Sequence, residues 1–188
     1  MTRKRTQLVL QLAAGLACVV ACAREPAASA VGIPEHAITE LQKDLAEAGR
    51  ESSSTRKRRT YKNVVRDGED LLEASPEAPN RWHVLEIIFQ GQKRLLGLEN
   101  SERNREALLA TSSKLVEAPD ELADLRLEAD MLLSERDLSA KNADVKKRAA
   151  ALGELIARYR DTPGEAKCLM MAALIAPKLE AFDLEDEI

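Results

Sequence analysis

A chain of 188 residues and 20.7 kDa has room for one domain of ordinary size, and charged residues at 32% beside hydrophobic residues at 45% exclude both a disordered acidic tail and an integral membrane bundle. Aromatics are only 3% (Tyr61, Trp82, Phe89, Tyr159 and Phe182), and 8 glycines with 7 prolines are too few to turn a many-stranded fold, which argues against a β-sandwich or barrel. The net charge of −4 gives no general reason to expect a nucleic-acid binder.

The first thirty residues read as an export signal and tether. Arg3, Lys4 and Arg5 form a basic start, and Leu8 to Ala21 follow without a charge. That run is shorter than the roughly 20 residues a permanent transmembrane helix needs, so a secretory signal is predicted instead. Val19-Val20-Ala21-Cys22 resembles the lipobox of bacterial lipoproteins, which implies cleavage before Cys22 and lipidation of that cysteine. Cleavage after Ala28-Ser29-Ala30 also satisfies the small-x-small rule, and Ala21-Cys22-Ala23 is a third option. Every option removes Arg3, Lys4 and Arg5 and leaves a more acidic mature chain. Cys18 lies in the signal and Cys22 is lipidated or lost, so Cys168 has no partner for an intramolecular disulfide.

From residue 33 onward the apolar residues follow the helical period. Pro34 suits a first turn, and Ala37, Ile38, Leu41, Leu45 and Ala48 share one face before Gly49 stops the run. Ser52–Thr55 offers caps. The second helix carries Tyr61, Val64, Val65, Gly68, Leu71 and Leu72, and ends at Ala74–Pro79. Trp82, Leu85, Ile88, Phe89 and Leu96, widened by Val84 and Ile87, predict a third helix that is the most deeply buried. Asn100-Ser101 starts a fourth with Leu108, Leu109, Leu115 and Val116 inward. Pro119 opens a fifth with Leu122, Leu125, Ala129, Leu132 and Leu133, and Val145, Ala149, Leu152, Ile156 and Tyr159 mark a sixth. Thr162-Pro163-Gly164-Glu165 predicts a capping box with Pro163 in the first helical position. Leu169, Met170, Ala173 and Ile175 are then expected to face inward until Pro177. No stretch of five residues alternates cleanly, so the fold class is all-α.

Pro76, Pro119 and Pro163 recur at intervals of 43 and 44 residues, each between a leucine-rich helix end and an apolar helix, with Leu96, Leu138 and Phe182 about twenty residues later. This spacing predicts stacked antiparallel helical hairpins, with an irregular helical bundle as the alternative. The segment Leu155–Ala166 resembles the join between helices in tetratricopeptide-type repeats of bacterial envelope proteins, and the likeness is strongest over 152–182. The resemblance implies a protein-binding scaffold without chemistry of its own. Recognition would use a groove between hairpins; Trp82 and Tyr159 are expected in the core, with exposure in that groove as the alternative. The closing Asp183–Ile188 reads as a helix start with acidic residues in its first turn. Ala166–Ile188 also resembles the helical region ahead of a thioredoxin-like domain in exported bacterial proteins, although no Cys-x-x-Cys occurs in the chain.

Chemistry-bearing constellations are sparse. His36 and His83 are the only histidines and have neither zincin nor di-iron spacing, so they are expected to be a surface side chain and a partly buried polar one. Cys168 near a helix start reads as small core filler. There is no Gly-x-Ser-x-Gly and no phosphate-cradling glycine loop. The carboxylates sit beside Lys and Arg on helix faces and read as solvated. The strongest charge run is Arg56-Lys57-Arg58-Arg59 with Lys62, a basic contact patch if it is more than a solvated helix face. The sequence thus predicts a non-enzymatic, exported helical scaffold for protein–protein interaction in the cell envelope. No cofactor, metal, nucleic acid or small-molecule substrate is expected, and membrane contact is expected only through Cys22. The alternative is the helical N-terminal module of a longer thioredoxin-like redox protein.

Overall fold

A computed structural model describes residues 32–139 and 144–179, with backbone alone for 136–139, 178 and 179. The signal and tether with Cys22, the side chain of Leu138, and Phe182 with the closing Asp183–Ile188 lie outside the described residues. Seven α-helices follow one another among the described residues: α1 (Glu35–Arg50), α2 (Ser54–Ala74), α3 (Arg81–Leu98), α4 (Glu102–Leu115), α5 (Ala123–Ser139), α6 (Val145–Tyr159) and α7 (Glu165–Ile175). Short 3-10 turns at Asp120–Leu122 and Ala176–Leu179 precede α5 and follow α7, and no strand occurs among the described residues. The fold is all-α.

Each helix packs on its neighbour in the chain, and α1 also touches α3. Short connections make neighbours antiparallel. Pro76, Pro119 and Pro163 all fall in the loops that join one pair of helices to the next, after α2, α4 and α6. The buried side chains form cores in series. Ile38, Leu41, Val64, Val84 and Ile88 join α1 to α3. Phe89, Leu108, Leu115, Leu125 and Ala129 join α3 to α5. Leu127, Leu152, Ile156, Tyr159 and Cys168 join α5 to α7.

A series of cores demands that an internal helix be apolar on two sides. α3 is the clearest case: Val84, Ile87 and Ile88 face one core while Leu85 and Phe89 face the next. Among the described residues it has the largest set of buried positions, as predicted, including Gly91, Gln92 and Leu95, which a single-stripe reading misses. α5 behaves alike, since Leu125 and Ala129 face back toward α3 while Leu127 faces α6 and α7.

α2 and α3 approach closely at two glycines. A Cβ on Gly68 would stand 2.7 Å from Ile88 Cγ1, and one on Gly91 would stand 3.1 Å from Val65 Cγ2. Gly68→Ala gains up to about 1 kcal/mol of helix propensity, but it must displace the branch of a side chain that is 2% exposed. We expect a net destabilisation of about 1–2 kcal/mol, the overpacking range, read as a lowered urea midpoint with unchanged slope.

Helix starts follow the predicted caps in two places. Ser53 Oγ accepts from Arg56 N at 3.4 Å, and Ser101 Oγ accepts from Asn104 N at 3.3 Å. The start of α7 differs. Thr162 Oγ1 donates to Tyr159 O at 2.7 Å instead of capping, Pro163 precedes the helix, and Glu165 Oε2 accepts from Asp161 N at 3.2 Å. Asp161 adopts φ 61°, a left-handed conformation that Asp tolerates better than most residues. On α7 the expected Leu169 and Ile175 pack half-buried on the last core, whereas Met170 is 61% exposed and Ala173 is exposed, and Cys168, Ala172 and Ala176 are buried. Small residues repeating every four positions let α7 lie close to α6, with Cys168 Sγ 3.9 Å from Leu155 O, while Met170 and Leu174 turn outward. The chain leaves α7 into the 3-10 turn that contains Pro177.

Candidate interaction surfaces

Two grooves and one charged helix face stand out, all built on α1 to α5. The first groove, of about 780 Å³, lies between the second half of α1, the start of α2 and the end of α3. Its floor is apolar: Leu45 from α1, the Tyr61 ring from α2, and Leu98, which is 40% exposed at the last position of α3. Its rim carries Lys57, Lys93 and Arg94 with the amides of Gln42 and Gln90, and no carboxylate is among its lining residues. The exposed Gly97 leaves open space at its mouth. Lys93 pairs with Glu128 of α5 and lies 5.4 Å from the centroid of the Phe89 ring, which fixes α3 against α5. Lys57 and Arg94 have no ion-pair partner among the described residues.

The second groove, of about 450 Å³, is at the other end of the α2–α3 hairpin. Trp82 lines it, half-buried, with Arg81 stacked 4.5 Å from its ring centroid. Glu69, Glu73, Glu77 and Glu117 surround it. Ile33 is held nearby: Asn80 Oδ1 accepts from Ile33 N at 2.9 Å, and Asn80 Nδ2 donates to Ile33 O at 2.8 Å. Ile33 is thereby docked on the loop between α2 and α3.

The predicted basic patch sits toward the opposite end of α2, roughly 18–27 Å from its C-terminus at 1.5 Å per residue. Its residues divide over three faces. Lys57 lines the first groove. Arg58 and Lys62 turn to α3, 3.3 Å and 3.7 Å from Glu99 Oε2. Arg56 and Arg59 point outward, exposed, with no ion-pair partner among the described residues.

The other candidate residues do not assemble into a reacting centre. His36 and His83 lie on different helices and are both exposed, so His83 is not the partly buried side chain expected of one of them. Cys168 is 1% exposed, and burial, then the carboxylates of Asp130 and Glu165, push its thiol pKa up, away from the thiolate. Among the described residues no three His, Cys, Asp or Glu side chains converge on one point, and no helix is long and apolar enough to cross a membrane. One carboxylate departs from the solvated reading. Asp130, 3% exposed on α5, accepts from Arg158 Nη1 at 2.6 Å on each of its oxygens. The sequence signal for it was weak: an acidic residue between Ala129 and Met131, one helical face away from any predicted stripe.

Tyr159 takes the core position expected of it, 1% exposed in the last core, and is not a groove contact. Its hydroxyl is buried with no hydrogen-bond partner among the described residues. Burial and then the Asp130 charge raise its pKa well above the ordinary tyrosine value. Arg126 stands over the ring, 5.6 Å from the centroid, while its guanidinium serves Ala118 O and Asp120. Because the hydroxyl is buried without a hydrogen bond among the described residues and only the nearby Arg126 and Arg158 charges offset its desolvation, Tyr159→Phe is expected to change stability by no more than about 1 kcal/mol. A thermal melt reads the sign directly.

No protein-family model, curated protein or solved structure matches this chain.

Proposed function

We propose that the chain is a non-enzymatic helical scaffold, exported and held at the membrane through Cys22, that binds a segment of another cell-envelope protein in the groove between α1 and α3. The observation that carries this reading is the composition of that groove. An apolar floor of Leu45, Tyr61 and Leu98 lies under a rim of Lys57, Lys93 and Arg94 with no carboxylate of its own. Such a surface fits a peptide segment that carries carboxylates around one or two apolar side chains, because the floor supplies affinity and the rim supplies orientation and rate. The groove is built on helices, not loops, so it is in place before the partner arrives. An acidic partner segment also suits a scaffold whose own net charge is negative, since the rim offers a local positive charge against that background.

Export and anchoring are tested by the intact mass of the native protein from separated membrane and soluble fractions. The reading predicts a membrane-bound species that begins at a lipid-modified Cys22. A soluble species that begins at Val31 removes the anchor, and an unprocessed species with Met1 still in place removes export altogether.

A further inference from the structure

The outward face of α2 carries charges that work against the helix they belong to. A helix N-terminus favours acidic residues and a C-terminus favours basic ones. α2 has no acidic residue in its first turn and no basic residue in its last. Its outer face instead carries Arg59 near its start and Asp70 near its end, both exposed and both without an ion-pair partner among the described residues. α1 and α3 pack on the other sides of α2, so this face is uncovered among the described residues.

The same face is complementary to itself when reversed. Laid antiparallel on a second copy, with the midpoint between Val64 and Val65, Arg59 falls opposite Asp70. The twofold repeats that pairing, and Asn63 and Arg66 meet near the axis. Arg59 and Asp70 lie eleven positions apart, three helical turns, and so project from one stripe. Parallel alignment would place like charges together, so the arrangement selects one orientation.

We propose that two copies of this chain associate through antiparallel pairing of their α2 outer faces, forming a closed twofold dimer. An isologous contact of this kind uses one patch on both copies and leaves no edge for further growth. It also leaves the α1–α3 groove open, since Lys57 and Tyr61 face away from Arg59 around α2. The inference therefore stands apart from the identity of the groove's partner. Exposed ion pairs are individually weak and are screened by salt, so the dimer is of modest affinity and sensitive to ionic strength.

The test is sedimentation velocity of the purified full chain over a range of protein concentrations, at low salt and at about 0.5 M salt, where the screening length falls to a few ångströms. The proposal predicts a monomer–dimer equilibrium at low salt, with association weakened at least tenfold at high salt. Arg59→Glu alone and Asp70→Arg alone should each be monomeric, with circular dichroism unchanged because both positions are exposed. Mixing these two variants should restore a dimer. The carboxylate introduced in the first then meets the guanidinium introduced in the second, and the native Asp70 of the first meets the native Arg59 of the second. The double variant in one chain should also dimerise. A wild-type chain that stays monomeric at low salt overturns the proposal. So does a dimer that persists in both single variants, or single variants that fail to associate when mixed.

Discussion

Phe89→Ala is expected to lower the free energy of unfolding by about 3–5 kcal/mol, the range for removing a fully buried aromatic side chain. Phe89 is 0% exposed and packs in the core that joins α3, α4 and α5, against Leu108, Leu115 and Leu125. Its ring also supports Lys93, whose ammonium lies 5.4 Å from the ring centroid and reaches Glu128 on α5. Truncation therefore opens a cavity and loosens an ion pair that ties the same two helices. In a series of cores each unit depends on its neighbours, so damage to a middle one is felt on both sides. Hydrogen exchange should lose protection in α3, α4 and α5 together. Protection lost only in α4 would mean that the helices are not stacked as a series.

Arg158→Leu is the second large effect, expected at about 3 kcal/mol. Removing one partner of a buried pair typically costs about 3–5 kcal/mol, and the lower end applies because the pair is lopsided. The Arg158 side chain is 57% exposed whereas that of Asp130 is 4% exposed. Loss of the arginine leaves a buried carboxylate with nothing to neutralise it. Loss of the aspartate leaves an arginine that can turn into water. Asp130→Leu should accordingly cost at most about 1 kcal/mol, the order of an ordinary exposed ion pair. The double variant should recover most of what Arg158→Leu loses, because it no longer leaves a buried charge unpaired beside the buried Tyr159 and Cys168. Equal losses from the two single variants, or a double variant no better than Arg158→Leu, would contradict this account. Chemical denaturation of the four proteins completes the cycle.

The helices were legible because their apolar residues repeat at three and four and their ends carry local signals. Ser53, Ser101 and the prolines at 76, 119 and 163 mark boundaries through chemistry that acts within a few residues. What was not legible depends on neighbours far along the chain. Leu127 belongs to a second stripe on α5 that exists only because α6 and α7 pack on its other side. Met170 looked inward because a large apolar residue usually is, whereas close approach of α7 to α6 selects the small Cys168 and Ala172 instead. Asp130 looked like any other helical carboxylate until Arg158, twenty-eight residues away, was brought onto it. Tyr159 was ambiguous between groove and core for the same reason.

The interaction surfaces follow the same division. The run Arg56–Arg59 with Lys62 was visible as a charge cluster. Its separation into a groove-facing lysine, two side chains paired with Glu99, and two outward arginines required the positions of α1 and α3. The groove itself, with Leu98 at its floor, left no local mark, since Leu98 is simply the last apolar residue of a helix. Arg94 and Gln90 meet Gln42 there only because α1 and α3 lie side by side.

The most direct measurement is a photo-cross-linking amino acid placed at residue 98 in the native protein, irradiated in intact cells, with the captured peptide sequenced by mass spectrometry. The account predicts a segment of another envelope protein, rich in Asp and Glu around an apolar residue, captured less when Lys57 and Arg94 are both replaced by Glu. Capture of basic or uncharged segments, or a yield that the two charge reversals leave unchanged, would contradict it.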